Sequence, residues 1–129
     1  MENIYKIVRN EKEILVIDFS NLNETKMIEL ISKSRGLIIL ENKPQLVLGI
    51  LNEKNYMTSN VLKHYKSDNL EALKLIKKQA LIGVSEPKRM IIKGYNFLFK
   101  RDVKVLESKE LAIEYLLADT KSIKGPFDN

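Results

Sequence analysis

The chain has 129 residues, 44% of them hydrophobic and 30% charged, with a net charge of +5, which is the composition of one globular domain able to bury a single core. It contains no cysteine, which excludes disulfides, a thiol nucleophile, a thiolate zinc site and an iron–sulfur cluster. No run reaches the 18 or so apolar residues that cross a bilayer, and the first residues alternate as a strand rather than reading as a signal segment, so a cytoplasmic location is expected.

In chain order, IYKIVRN (4–10) and EILVIDFS (13–20) are β-rich runs separated by Glu11 and Lys12, predicting an antiparallel hairpin. The second run is apolar almost throughout, as an interior strand covered on both faces would be. Asn21 to Glu24 offer turn and cap chemistry for a helix over 24–41, with Met27, Ile28, Ile31 and Ile38 on one arc flanked by Leu30 and Leu37. A rival reading makes Leu37–Leu40 a strand begun at Gly36. QLVLGILN (45–52) is a buried strand, and Thr58 and Ser59 offer caps for a helix from about 59. Asp68 and Glu71 have the capping-box spacing for a second helix over 69–78, with Leu70, Leu73 and Ile76 inward.

ALIGVS (80–85) is the next strand, after which Ser85 caps and Pro87 is tolerated in the first turn of a helix over 87–99. DVKVLE (102–107) is the last strand, and Ser108 caps a closing helix with Leu111, Ala112, Tyr115 and Leu116 inward. The tail over 119–129 is polar and carries two breakers, so disorder is expected there. Repeated βα units of this kind imply an α/β fold with a mainly parallel mixed sheet, right-handed crossovers and one antiparallel strand from the hairpin.

Three lone residues invite chemistry and have plainer readings. Ser85 sits at a helix start whose free N–H groups suit an anion, but Gly83 is the sole glycine near it, fewer than a phosphate cradle uses. His64 is the single histidine, which excludes a two-histidine metal site, and no partner for a relay is visible. Asp18 ends a strand, where α/β ligand crevices lie, yet a carboxylate there commonly accepts turn hydrogen bonds. The reading is of a noncatalytic protein without metal or cofactor.

Charge is uneven: residues 77–104 hold eight basic side chains against Glu86 and Asp102, a net +6, and the remainder sums to −1. A basic cluster of this size attracts nucleic acid, acidic lipid or acidic protein, but no RNP, GXXG or helix-turn-helix signature accompanies it, so no nucleic-acid partner is expected. The helix over 87–99 is apolar over about 220° of its circumference, whereas packing on one sheet face needs about 100°. The surplus is covered by neighbouring helices, or it meets a second copy or a protein partner, or it forms a pocket or peripheral membrane contact. On the second and third readings Met90, Phe97 and Phe99 supply apolar contact, with Lys93, Lys100 and Arg101 at the polar edge. Gly94, inside the arc, is expected to let the helix approach the sheet closely.

The pattern of Ala80 and Gly83, then Arg101 and Asp102, then Ala112, Tyr115 and Leu116 resembles the SpoIIAA-like branch of the STAS-like (CRAL-TRIO-like) bacterial domains. Leu106 stands where that branch tends to an aromatic, and Tyr115 where Trp is commoner. The likeness spans about residues 3–118 and implies one domain over 1–118, a compact βα superhelix, and a regulatory or protein-interaction role, with a small carrier or sensor of an apolar or anionic ligand as the alternative. In the anti-sigma-factor antagonists of this fold an Asp-Ser pair carries a phosphorylatable serine. The matching place here is Met57-Thr58-Ser59, with hydroxyls but no preceding Asp, so Thr58, Ser59 and Ser85 are read as phosphoacceptors or helix caps.

Overall fold

A computed structural model describes residues 3–55, 58–67, 70–99 and 101–118; the side chains at 62, 65–67, 70 and 97–99 also lie outside the description. The elements are β1 (Ile4–Arg9), β2 (Lys12–Asp18), α1 (Glu24–Glu41), β3 (Gln45–Ile50), α2 (Ser59–Ser67), α3 (Leu70–Lys74), β4 (Ile76–Ile82), α4 (Glu86–Phe99), β5 (Val103–Val105) and α5 (Lys109–Leu117). The expected α/β architecture is present, an N-terminal hairpin followed by βα units. The five strands lie in sequence order, β1 antiparallel to β2 and every later pair parallel.

The hairpin turns on Asn10 and Glu11, one residue earlier than expected. Both have positive φ, 52° and 66°, which gives the two-residue loop a twist that matches its strands. α1 runs over the predicted 24–41, capped by Asn23, whose Oδ1 accepts from Lys26 N at 2.9 Å. Asn42 ends it in the left-handed region and donates to the Ile38 carbonyl. The strand alternative for Leu37–Leu40 is therefore wrong, and Leu37, expected at the inward flank, is 38% exposed.

The predicted helix over 69–78 stops at Lys74, and β4 begins at Ile76, four residues before the expected start. Lys77, Lys78 and Gln79 had disguised it. Lys78 is buried as a strand residue, and its Nζ donates to the carbonyls of Tyr115 (2.9 Å) and Ala118 (2.6 Å), neutralising the carbonyl end of α5. Its ammonium also lies 4.9 Å from the centre of the Tyr115 ring. The proposed cap Asp68 lies outside the described residues.

α1 to α4 pack on one face of the sheet, where Leu15, Ile17, Val47 and Leu81 meet Met27, Ile31, Ile38, Val61, Ile92 and Tyr95. α5 covers the other face, with Ala112 and Leu116 against Val16, Leu48 and Ala80. Ser108 caps α5 as expected, its Oγ accepting from Leu111 N at 3.2 Å. Leu111 itself, expected inward, is 44% exposed. No helix among the described residues is long and apolar enough to cross a membrane.

Candidate functional site

The turn from β4 into α4 depends on one glycine. Gly83 has φ +77°, and a Cβ there would stand 1.8 Å from the Leu51 carbonyl oxygen at the end of β3. The chain then enters α4, with the Ser85 carbonyl accepting from Arg89 N at 2.9 Å and the Ser85 side chain exposed. Glu86 in the first turn complements the helix dipole.

α4 divides its apolar residues between two environments. Ile92 and Tyr95 are buried against the sheet, whereas Met90 is 69% and Ile91 36% exposed. Part of the apolar surplus read from the sequence therefore faces outward. Phe97, Phe99 and Lys100 lie outside the described side chains, so the outward face is defined here by Met90 and Ile91. Gly94 is exposed, and a Cβ there would meet nothing within 4 Å, so it is not the close-packing position expected of it.

An unforeseen residue fixes α4 against the edge of the sheet. Asn96 Nδ2 donates to Val103 O and its Oδ1 accepts from Val103 N, both at 3.0 Å. Because a residue in a parallel strand points its N–H and C=O to the same side, this amide occupies both outward groups of Val103 and blunts the start of that edge. The sequence signal is an asparagine in a helix interior, a residue that favours bonding to nearby backbone over helix continuation. Arg101 N donates to Asn96 O at 3.1 Å and closes the same junction.

Between α4 and β5 runs a groove of about 380 Å³ lined by Arg89, Met90, Ile92, Lys93, Asn96 and Val105. Lys93 lines this groove and is exposed. Arg89 spans the groove end: its Nε donates to Val84 O at 3.4 Å and its Nη2 meets Glu107 Oε2 at 2.7 Å. Arg101 is half-buried, with its guanidinium near the Tyr95 phenol. Burial pushes the Tyr95 phenol above its ordinary range, and the nearby Arg101 and Arg35 guanidiniums oppose that shift.

Much of the basic excess is engaged within the fold. Lys78 is buried under α5, Arg89 pairs with Glu107, Lys104 lies 4.0 Å from Asp102, and Lys88 donates to Asn52 O at 3.3 Å.

The other sequence candidates are scattered rather than gathered. Thr58 caps α2, its Oγ1 accepting from Val61 N at 3.1 Å and donating to Glu24 Oε2 at 2.5 Å. A phosphate there would oppose the Glu24 carboxylate. Ser59 is exposed on the first turn. Asp18 accepts from Ser20 N (3.0 Å) and Ser20 Oγ (2.6 Å), a turn acceptor. His64 Nδ1 lies 2.9 Å from Asn60 O on its own helix. Among the described residues no cluster of three or more His, Asp or Glu could hold a metal ion. Asn55, which the sequence alone does not single out, is fully buried and ties the β2–α1 turn to the β3–α2 connection: it donates to Phe19 O (2.8 Å) and Leu22 O (3.0 Å) and accepts from Asn52 N (2.8 Å). Comparison of the chain with protein-family models, with curated proteins and with solved structures finds no match.

Proposed function

We propose that this protein is a noncatalytic, regulatory interaction module of the SpoIIAA-like (STAS-like) type, and that it engages a partner protein through the outer face of α4 and the groove beside β5. One observation carries this reading: Met90 and Ile91 stand exposed next to buried Ile92, on a helix tied to the sheet edge through Asn96. A helix face presenting adjacent aliphatic side chains beside a groove suits an apolar anchor from another protein. Lys93 at the rim favours an acidic flank on that partner. The sequential strand order supports assignment to a βα-superhelical family.

The alternative, a small carrier or sensor of an apolar or anionic ligand near residues 87–101, would use the same groove of about 380 Å³ between α4 and β5, where exposed Met90 and Lys93 leave a ligand open to solvent rather than enclosed. The test is selection of a peptide library on the purified protein. The expected ligands carry an apolar anchor with acidic flanks, and Met90→Lys and Ile91→Lys abolish their binding without changing the thermal unfolding midpoint. Ligands that bind both variants as tightly as the parent would refute the assignment.

A further inference from the structure

The two edges of the sheet are finished differently. β5 is three residues long, and Asn96 occupies the outward groups of Val103. β1 is six residues long and, among the described residues, pairs with β2 alone. The bond from Asp18 N to Asn3 O (2.7 Å) sets the phase of the antiparallel ladder: Asn3, Tyr5, Ile7 and Arg9 direct their main-chain groups toward β2, so Ile4, Lys6 and Val8 direct theirs outward.

An edge lysine ordinarily blocks strand addition, because an added strand would leave its charge poorly solvated and unpaired. Here that charge is already matched, since Lys6 Nζ lies 3.1 Å from Glu41 and 3.6 Å from Glu13. Glu41, the last residue of α1, brings the end of that helix to the strand. Exposed apolar side chains gather on this side of the molecule: Tyr5 and Val8 on the strand, Leu37 and Leu40 on the closing turns of α1.

We infer that β1 is a dimerisation edge, at which a second copy adds its own β1 antiparallel about a two-fold axis through Lys6 and extends the sheet across both copies. In that register Ile4 faces Val8 of the second copy on the α1 side, and Tyr5 faces Ile7 of the second copy on the α5 side, so both kinds of cross-strand pair are apolar. At the axis two Lys6–Glu41 pairs meet as an alternating cluster of charges. An acidic foreign strand would compete with Glu13 and Glu41 for a cation they already neutralise, whereas a copy of this strand arrives with its own carboxylates. The surface is isologous, as a closed dimer requires. It is separate from the α4 face, so each reading stands or falls alone.

Sedimentation velocity of the full chain over a concentration series tests the inference. The parent protein is expected to dimerise reversibly. Lys6→Pro removes an outward N–H and no β1–β2 ladder bond, so it keeps the hairpin while losing two intersubunit bonds per dimer, weakening association about 30-fold. Val8→Glu, at an exposed position, is expected to weaken it as well and decides the matter should Lys6→Pro fail to fold. Met90→Lys leaves the dimer unchanged. A parent that stays monomeric throughout the series, a dimer that survives Val8→Glu, or one that is lost on Met90→Lys, would overturn the inference.

Discussion

Replacing Asn96 with aspartate changes one atom pair and inverts one interaction. Val103 N still donates to the retained Oδ1 position at 3.0 Å, but the amide nitrogen that gave a proton to Val103 O at 3.0 Å becomes an oxygen facing a carbonyl. The lost bond is worth about 1 kcal/mol, and the unpaired carbonyl beside a carboxylate adds a further 1–2 kcal/mol at this half-buried site, roughly 2–3 kcal/mol together. For a domain of this length that corresponds to a fall of roughly 8–11 °C in the unfolding midpoint at neutral pH. A protonated carboxyl can donate to Val103 O again, so the folded state favours the neutral acid and raises the pKa of the introduced group. Its destabilisation is therefore fully developed above that raised folded-state pKa. It shrinks as pH falls through that value and on toward the ordinary aspartate value of about 3.9. Thermal unfolding of parent and variant by circular dichroism from pH 7 to pH 4 reads both quantities. A variant as stable as the parent at pH 7, or a gap that widens on acidification, would refute the assigned role of Asn96 at the edge.

Gly83→Ala is expected to cost more than 3 kcal/mol in chemical denaturation, because a Cβ 1.8 Å from the Leu51 carbonyl oxygen meets the Leu51–Asn52 backbone, where no side chain can rotate away; a loss under 1 kcal/mol would contradict the turn geometry. Tyr95 is held neutral chiefly by burial, so its folded pKa lies above the unfolded one, and its contribution to stability is present below about pH 10 and lost as pH rises from there through the folded value. Tyr95→Phe should accordingly flatten the alkaline limb of a stability–pH curve, and an unchanged limb would count against the burial of that hydroxyl.

Where side-chain type and environment agree, the sequence announced the structure. α1 carries a cap at Asn23 and apolar residues on one arc, and it runs over the expected residues. The strands at 14–18 and 45–50 are apolar because both their faces are covered. Legibility failed where a polar side chain does a buried job. Lys78 reads as helix surface but lies in β4, since its aliphatic stem is covered while its amine serves the end of α5. Arg35 and Ser34 look like solvated residues on α1 and are 3% exposed. Asn96 falls on the polar side of α4 in a helical projection, which shows which way a residue points and not that an edge strand waits there. The apolar breadth of α4 was legible, and the division of its residues between the sheet and solvent required coordinates: Ile92 and Tyr95 inward, Met90 and Ile91 outward. Gly94 and Leu111 were misplaced for the same reason, as periodicity alone does not tell how far a neighbouring element extends.

The most direct test of the interaction reading is site-specific photo-crosslinking in the native cells, with the photoreactive residue at position 91 and, as a control, at exposed position 25 on α1. The account predicts one discrete heterologous adduct from position 91 that disappears when Met90 is changed to lysine, and none from position 25. Equal or absent adducts at the two positions, with the protein folded in both cases, would contradict a partner-binding role for the α4 face.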